Sequence, residues 1–218
     1  MPDASQVNRM FAGIAGRYDL ANRALSFGID AGWRRRLVEK VVGKAPRLVV
    51  DLATGSGDVA LALRGALDPS VEVSGLDFCE PMLDQARDKA YRAGCGGSLS
   101  FGLGDCLDLP LEDGSVDVLT IAFGLRNLEN RHRGLEEMYR VLNPENGCLF
   151  VLEFTQPDQW FRPLYYLYLR LFMPMISMLL TGRPGAYRYL ASSIESFPTK
   201  ESLADEMLAA GFPRVVYR

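Results

Sequence analysis

From Arg47 to Phe154 the chain alternates between apolar runs of strand length and segments of helical period, and this alternation limits the fold more than any other feature. The runs RLVVDLA, VEVSGLD, LSFGLGD, VDVLTIAFG and GCLFVLEF read as strands. DVALALRGAL, EPMLDQARDKAYRAG and RHRGLEEMYRVL read as the helices between them. Strand and helix in turn predict a parallel sheet with helices on both faces. Strands that are apolar almost throughout predict burial on both sides. The expected class is therefore α/β and Rossmann-like.

Outside this core the pattern changes. Residues 1–45 read as helical: DASQVNRMFAGIAGRYD starts with an acid and a Ser, and AGWRRRLVEKVVG ends at Gly43 with Pro46 beyond. After Phe154 comes a long aromatic, Met-rich stretch, from Trp160 to about Phe197. TKESLADEMLAAGF restores a helix, with Thr199 and Ser202 as a weak capping pair, and PRVVYR reads as a last strand. The division is one domain of four parts: 1–45, 46–154, 155–198 and 199–218.

Composition excludes several classes. A net charge of -3 argues against a general nucleic-acid binder, which needs a basic face. The four cysteines, Cys79, Cys95, Cys106 and Cys148, form no C-x-x-C pair, and the chain has one His, so no metal site is expected. Four reduced thiols suit the cytosol, and the N-terminus MPDASQVNRMF lacks the pattern of a signal peptide. The expected location is cytoplasmic, with peripheral contact at the inner membrane face as an extension.

The chemistry begins at VVDLATGSGDVALAL, residues 49–63. Gly55-x-Gly57-x-x-Ala60 after a strand fits the pyrophosphate loop of nicotinamide enzymes, and equally a loop for S-adenosylmethionine. Glycines let a cofactor approach the backbone, and the following helix offers free N–H groups. Asp77, ending the second strand, suits either cofactor by binding two ribose hydroxyls. Asp51 and Asp105 separate the readings. Asp51 would repel a pyrophosphate but attract an ammonium or sulfonium. Asp105, after the third strand, is placed to meet an adenine amino group. The acids favour S-adenosylmethionine. The plain alternatives are a tight glycine turn and, for Asp51, a local backbone bond.

Longer motifs then point to a family. MFAGIAGRYDLANRALSFGIDAGWRR, TIAFGLRNL, MYRVLNPENGCLFVLEFTQP and YRYLASSIESFPTKESLADEMLAAGF resemble, in order, the signatures of the C-methyltransferases of ubiquinone and menaquinone biosynthesis. The resemblance implies a class I methyltransferase fold and methyl transfer from S-adenosylmethionine to a ring carbon of a prenylated hydroquinone, demethylmenaquinol foremost and the ubiquinone precursor second. S-adenosylhomocysteine is then the product. It implies cofactor contacts at Ser56, Asp77, Asp105 and Cys106. Ala122 stands where the family commonly has Ser, and Ala53 where the methyltransferase loop commonly has its first Gly.

Ring-carbon methylation needs the neighbouring hydroxyl to lose its proton and the resulting phenolate to be held. Arg126, just past the fourth strand, is the candidate: a guanidinium stabilises a phenolate and holds a water, but is no direct base. Asn127 is expected to orient that water or the quinol oxygen. Tyr18, with Asp19 and Asn22 in RYDLAN, is expected in an N-terminal lid, with cation–π contact to the sulfonium or the ring. For these residues the plain readings are an Arg126–Glu129 pair and a cluster of helix-end polar groups. His132 reads as a solvated helix-start residue. The apolar stretch 155–198 is expected to be a lid over the polyprenyl tail that touches the membrane; a core helix pair or homodimer face is the alternative. A nicotinamide oxidoreductase and a non-catalytic cofactor-binding scaffold remain the competing functions. The scaffold is favoured if Arg126 and Asn127 point away from the cofactor cavity.

Overall fold

The computed structural model describes residues 4–14, 28–156, 160, 162–167, 189 and 192–217. At its centre lie five parallel strands: β1 (Leu48–Leu52), β2 (Glu72–Asp77), β3 (Leu99–Leu103), β4 (Val118–Ala122) and β5 (Cys148–Leu152). Their order is β3-β2-β1-β4-β5. All five strands expected from the alternation form. The sixth does not: residues 213–217 make no sheet ladder, and Val216 and Tyr217 are exposed. An apolar, β-branched run becomes a strand only where its backbone groups find a neighbouring edge.

The helices are α1 (Ala4–Ile14), α2 (Ile29–Val42), α3 (Asp58–Ala66), α4 (Glu80–Arg92), α5 (Arg131–Val141), α6 (Arg162–Leu167) and α7 (Lys200–Ala209). Thr199 caps α7 by accepting from the Ser202 backbone N–H at 3.3 Å. The stop after α2 is made differently from the expectation. Gly43 keeps a right-handed conformation, and Ala45 takes the positive φ of 48°.

The period of two along each strand splits the core. Val50 and Leu52 of β1, with Leu119 and Ile121 of β4, pack against Leu135 and Met138 of α5 and Leu203 and Met207 of α7. Val49 and Val118 face the other way, onto Leu37, Val38 and Val41 of α2 and Leu63 of α3. Asp51 and Thr120 belong to this second face, so the same alternation that builds the core brings a carboxylate and a hydroxyl beneath α2 and α3. Strand order reverses between β1 and β4. The loops leaving these neighbours diverge, and a crevice opens at their carboxyl ends.

Candidate active site

The crevice contains two adjoining cavities that share Ala53, Gly55, Ala122 and Phe123. The larger, about 110 Å³, is bounded by Asp77, Asp105, Cys106 and Asn127. The smaller, about 40 Å³, is bounded by Arg34, Asp51, Thr54, Ser56 and Asp58.

The glycine loop is fixed by backbone shape. Gly57 has φ 82°, and a Cβ there would lie 2.9 Å from the Ala86 Cβ and 3.0 Å from the Phe101 ring. Both the conformation and the space require glycine. Ala53 has φ 48° despite its side chain, which gives a conformational reason for glycine at that position in similar loops.

Asp77 is buried at the end of β2. Its Oδ2 accepts from the Gly55 N–H at 2.8 Å and its Oδ1 from the Cys79 N–H at 2.9 Å. Burial raises its pKa, opposed by these backbone donors. The carboxylate therefore clamps the glycine loop and still lines the larger cavity. Asp105 is exposed at the rim and accepts from the Leu107 N–H at 2.9 Å. Cys106 is buried on the cavity wall, and burial pushes its thiol up to about 12. It stays a neutral thiol.

Asp51 is buried with no cation in hydrogen-bond range. Thr54 Oγ1 donates to its Oδ2 and Thr120 Oγ1 to its Oδ1, each at 2.6 Å. The local backbone bond considered from the sequence is not what holds it. Burial raises its pKa to about 6 against the help of the two threonines. Gly75, the register partner of Asp51 on β2, leaves the room Thr54 needs: a Cβ there would lie 2.8 Å from Thr54 Oγ1. Ser56 accepts from Lys89 Nζ at 3.0 Å, and Lys89 also donates to Asp58 at 2.7 Å. Burial would raise the Asp58 pKa, but Lys89 and Arg34 bring it below the usual carboxylate range.

Arg126 and Asn127 occupy a short 3-10 turn, Leu125–Asn127, beyond β4. They point differently. Asn127 lines the larger cavity; its Nδ2 donates to the Phe123 carbonyl at 3.3 Å and its Oδ1 accepts from the Tyr189 hydroxyl at 3.2 Å. The Arg126 side chain, 5% exposed, runs to Glu153 and donates through Nη1 to Oε1 at 2.6 Å. The pairing with Glu129 is not formed. The guanidinium carbon lies 6.0 Å from the Phe123 ring centroid and 5.9 Å from that of Phe154, and its Nε is buried without a hydrogen-bond partner. Trp33, Phe123 and Phe154 form one aromatic group, with Phe123 and Phe154 stacked at 4.8 Å. The criterion for a scaffold thus divides: Asn127 faces the cavity, while Arg126 is engaged with Glu153.

Tyr18, Asp19 and Asn22 lie outside the described residues, as does most of the apolar stretch 155–198. Its described end is tied to the β5 exit by Gln156, whose Nε2 lies 3.0 Å from the Ile194 carbonyl. His132 is exposed and lies 3.5 Å from Glu136. Among the described residues no helix is long and apolar enough to cross a membrane.

Sequence reasoning missed Thr54, Thr120, Glu153, Tyr189 and Arg34. Glu153 had a signal, as the one acid closing an apolar strand at the cofactor end of the sheet. Arg34 had one too, since helical spacing places it on the buried face with Asp30, Val38 and Val41. The threonines and Tyr189 had none, because their partners are distant in sequence.

Residues 2–218 match the family model described as the ubiE/COQ5 methyltransferase family. The chain is 48% identical to the demethylmenaquinone methyltransferase of Thermus thermophilus, over 93% of this chain and 91% of that protein. It is 39% identical to the ubiquinone/menaquinone biosynthesis C-methyltransferase UbiE of Geotalea daltonii, over 95% of this chain and 88% of that one. Among solved structures, a putative methyltransferase of Bacillus halodurans superposes with a TM-score of 0.62 at 21% identity, over 81% of this chain and 68% of that one. That last likeness concerns the fold alone.

Proposed function

The chain belongs to the ubiE/COQ5 methyltransferase family, and on that premise we propose that it methylates a ring carbon of a prenylated quinol, demethylmenaquinol foremost, with S-adenosylmethionine as donor. The observation that carries the reading is the row of acids leaving three successive strands, Asp51, Asp77 and Asp105, around one crevice. Asp77 keeps acceptor capacity on both oxygens for ribose hydroxyls beyond its two backbone bonds. Asp105 stands at the rim for the base, with Met82 and Leu107 as apolar walls. Asp51 carries an uncompensated negative charge toward the smaller cavity, which suits an ammonium and opposes a pyrophosphate. The residues present fit S-adenosylmethionine, which when bound supplies an electrophilic methyl group on a sulfonium.

The chain's own task is then to position the quinol, exclude water and manage two protons. Phe123, Phe154 and Trp33 supply an apolar wall for the aromatic ring. Asn127 holds the quinol oxygen or a water through the amide already set by Tyr189 and the Phe123 carbonyl. Arg126, anchored by Glu153, offers its partnerless Nε to the developing phenolate. Deprotonation moves electron density onto the adjacent carbon; after methyl transfer that carbon releases its hydrogen as a proton and aromaticity returns. Tyr18 and the stretch 155–198 are proposed to close over cofactor and polyprenyl tail, with the membrane surface as the source of substrate.

The test is methyl transfer from labelled S-adenosylmethionine to demethylmenaquinol and to the ubiquinol precursor, side by side. Label in methylated menaquinol supports the reading, and transfer to the ubiquinol precursor alone reassigns the substrate. Tight S-adenosylhomocysteine binding with no transfer to either quinol would sink it.

A further inference from the structure

Arg34 is the one guanidinium on the wall of the smaller cavity, opposite the buried carboxylate of Asp51. Three observations set it apart from a surface arginine. Its side chain is 17% exposed. Its terminal nitrogens are pinned, Nη1 by Asp58 at 2.5 Å and Nη2 by Asp30 at 3.3 Å. Its Nε is buried and has no hydrogen-bond partner. Leaving such a donor unsatisfied costs about 1–3 kcal/mol. A buried orphan of this kind calls for a reason.

The surroundings supply one. Asp58 is shared with Lys89, which also holds Ser56 of the glycine loop. Arg34 and Lys89 balance Asp30 and Asp58, so the network carries no excess charge, yet one donor is left over. Across about 40 Å³ stands Asp51, with hydroxyl partners but no cation. A held guanidinium and an unpaired carboxylate facing one small cavity match a group that carries both charges on one carbon.

We propose that Arg34 receives the α-carboxylate of the cofactor's amino-acid end while Asp51 faces its ammonium, making Arg34 a specificity-determining residue for amino-acid-bearing nucleosides. This rests on the S-adenosylmethionine reading above. Because Asp30 and Asp58 already fix the side chain, little order is lost when the carboxylate arrives.

Calorimetric binding of S-adenosylmethionine and of decarboxylated S-adenosylmethionine tests it, since the two differ only in the carboxylate. Wild-type protein should prefer the first by about tenfold to a hundredfold. Arg34→Met should lose that preference by weakening S-adenosylmethionine alone. Arg34→Lys keeps a cation for Asp58 and so guards the fold, but lacks the fork; it should lose most of the preference too. An equal loss for both ligands assigns Arg34 to holding the loop and overturns the proposal. An undiminished preference in either variant overturns it as well. Wild-type protein that binds neither nucleoside removes the cofactor reading and the assignment together, a result distinct from the other two.

Discussion

Asp51 and Thr120 are register partners on β1 and β4, and the Thr120 hydroxyl donates to the Asp51 carboxylate across that pairing at 2.6 Å. The bond, with its Thr54 counterpart, keeps a charge in the interior that burial opposes.

The first prediction concerns stability. Asp51 titrates near 6 in the folded chain and near the ordinary 3.8 when unfolded. The folded state therefore holds this proton more tightly. Its contribution is most favourable below about pH 4 and declines as pH rises through 6, by about 3 kcal/mol in all. Asp51→Asn should raise stability at pH 8 by up to about that amount and change little at pH 4. Urea unfolding at the two pH values checks this; an equal gap at both would show that the charge is not the cause.

The second concerns affinity. An ammonium binds ionised Asp51, so S-adenosylmethionine affinity should be flat above pH 7 and fall as pH drops through about 6. Asp51→Asn should be weaker at neutral pH and lose this dependence. Calorimetry across pH 5 to 8 decides, and a wild-type profile without a break there would remove Asp51 from the site.

Asp77→Ala should cost stability as well as affinity. It frees the Gly55 and Cys79 N–H groups from their acceptor. A loss of about 1–3 kcal/mol in unfolding free energy is expected, together with a marked loss of S-adenosylhomocysteine affinity. A variant as stable as the parent would contradict the clamp.

Gly75→Ala should act on the site from a strand that does not line the smaller cavity. The new Cβ would meet Thr54 Oγ1 and the Phe101 ring, each at 2.8 Å. Overpacking of this kind costs about 1–3 kcal/mol. Displaced Thr54 would also leave Asp51 with one donor and raise its pKa further, so the break in the binding profile should move upward in pH.

For Arg126, two roles separate by pairing substitutions. Glu153→Ala leaves a buried guanidinium without its carboxylate, a loss of about 3–5 kcal/mol. Arg126→Met with Glu153→Leu should recover most of that stability while methyl transfer stays lost and S-adenosylhomocysteine binding persists. Wild-type turnover in the stable double variant would make the pair purely structural.

The local patterns foretold the sheet because each β–α unit carries its own period and its own stop signals. The order of those units in space put Asp51, Asp77 and Asp105 where the loop chemistry required them. What stayed hidden was pairing over distance. Thr120 is 69 residues from Asp51, and Glu153 is 27 from Arg126, so no local rule joins them. The final run PRVVYR shows the converse limit, for composition suited to a strand gave none without an edge to join.

The exits of β1 and β4 bear on how such a site can change. Ala53 and Phe123 both have positive φ, 48° and 59°, and Gly124 admits no side chain, since a Cβ would lie 2.5 Å from that of Ala53. The floor of the crevice is thus peptide backbone in unusual conformations, with few side chains to exchange. Substitutions there alter shape before they alter chemistry, and backbone shape is hard to revise one residue at a time. A change of ligand preference has an easier route through the walls, at Arg34, Asp105 and Asn127, where one side chain can be replaced while the floor keeps its form.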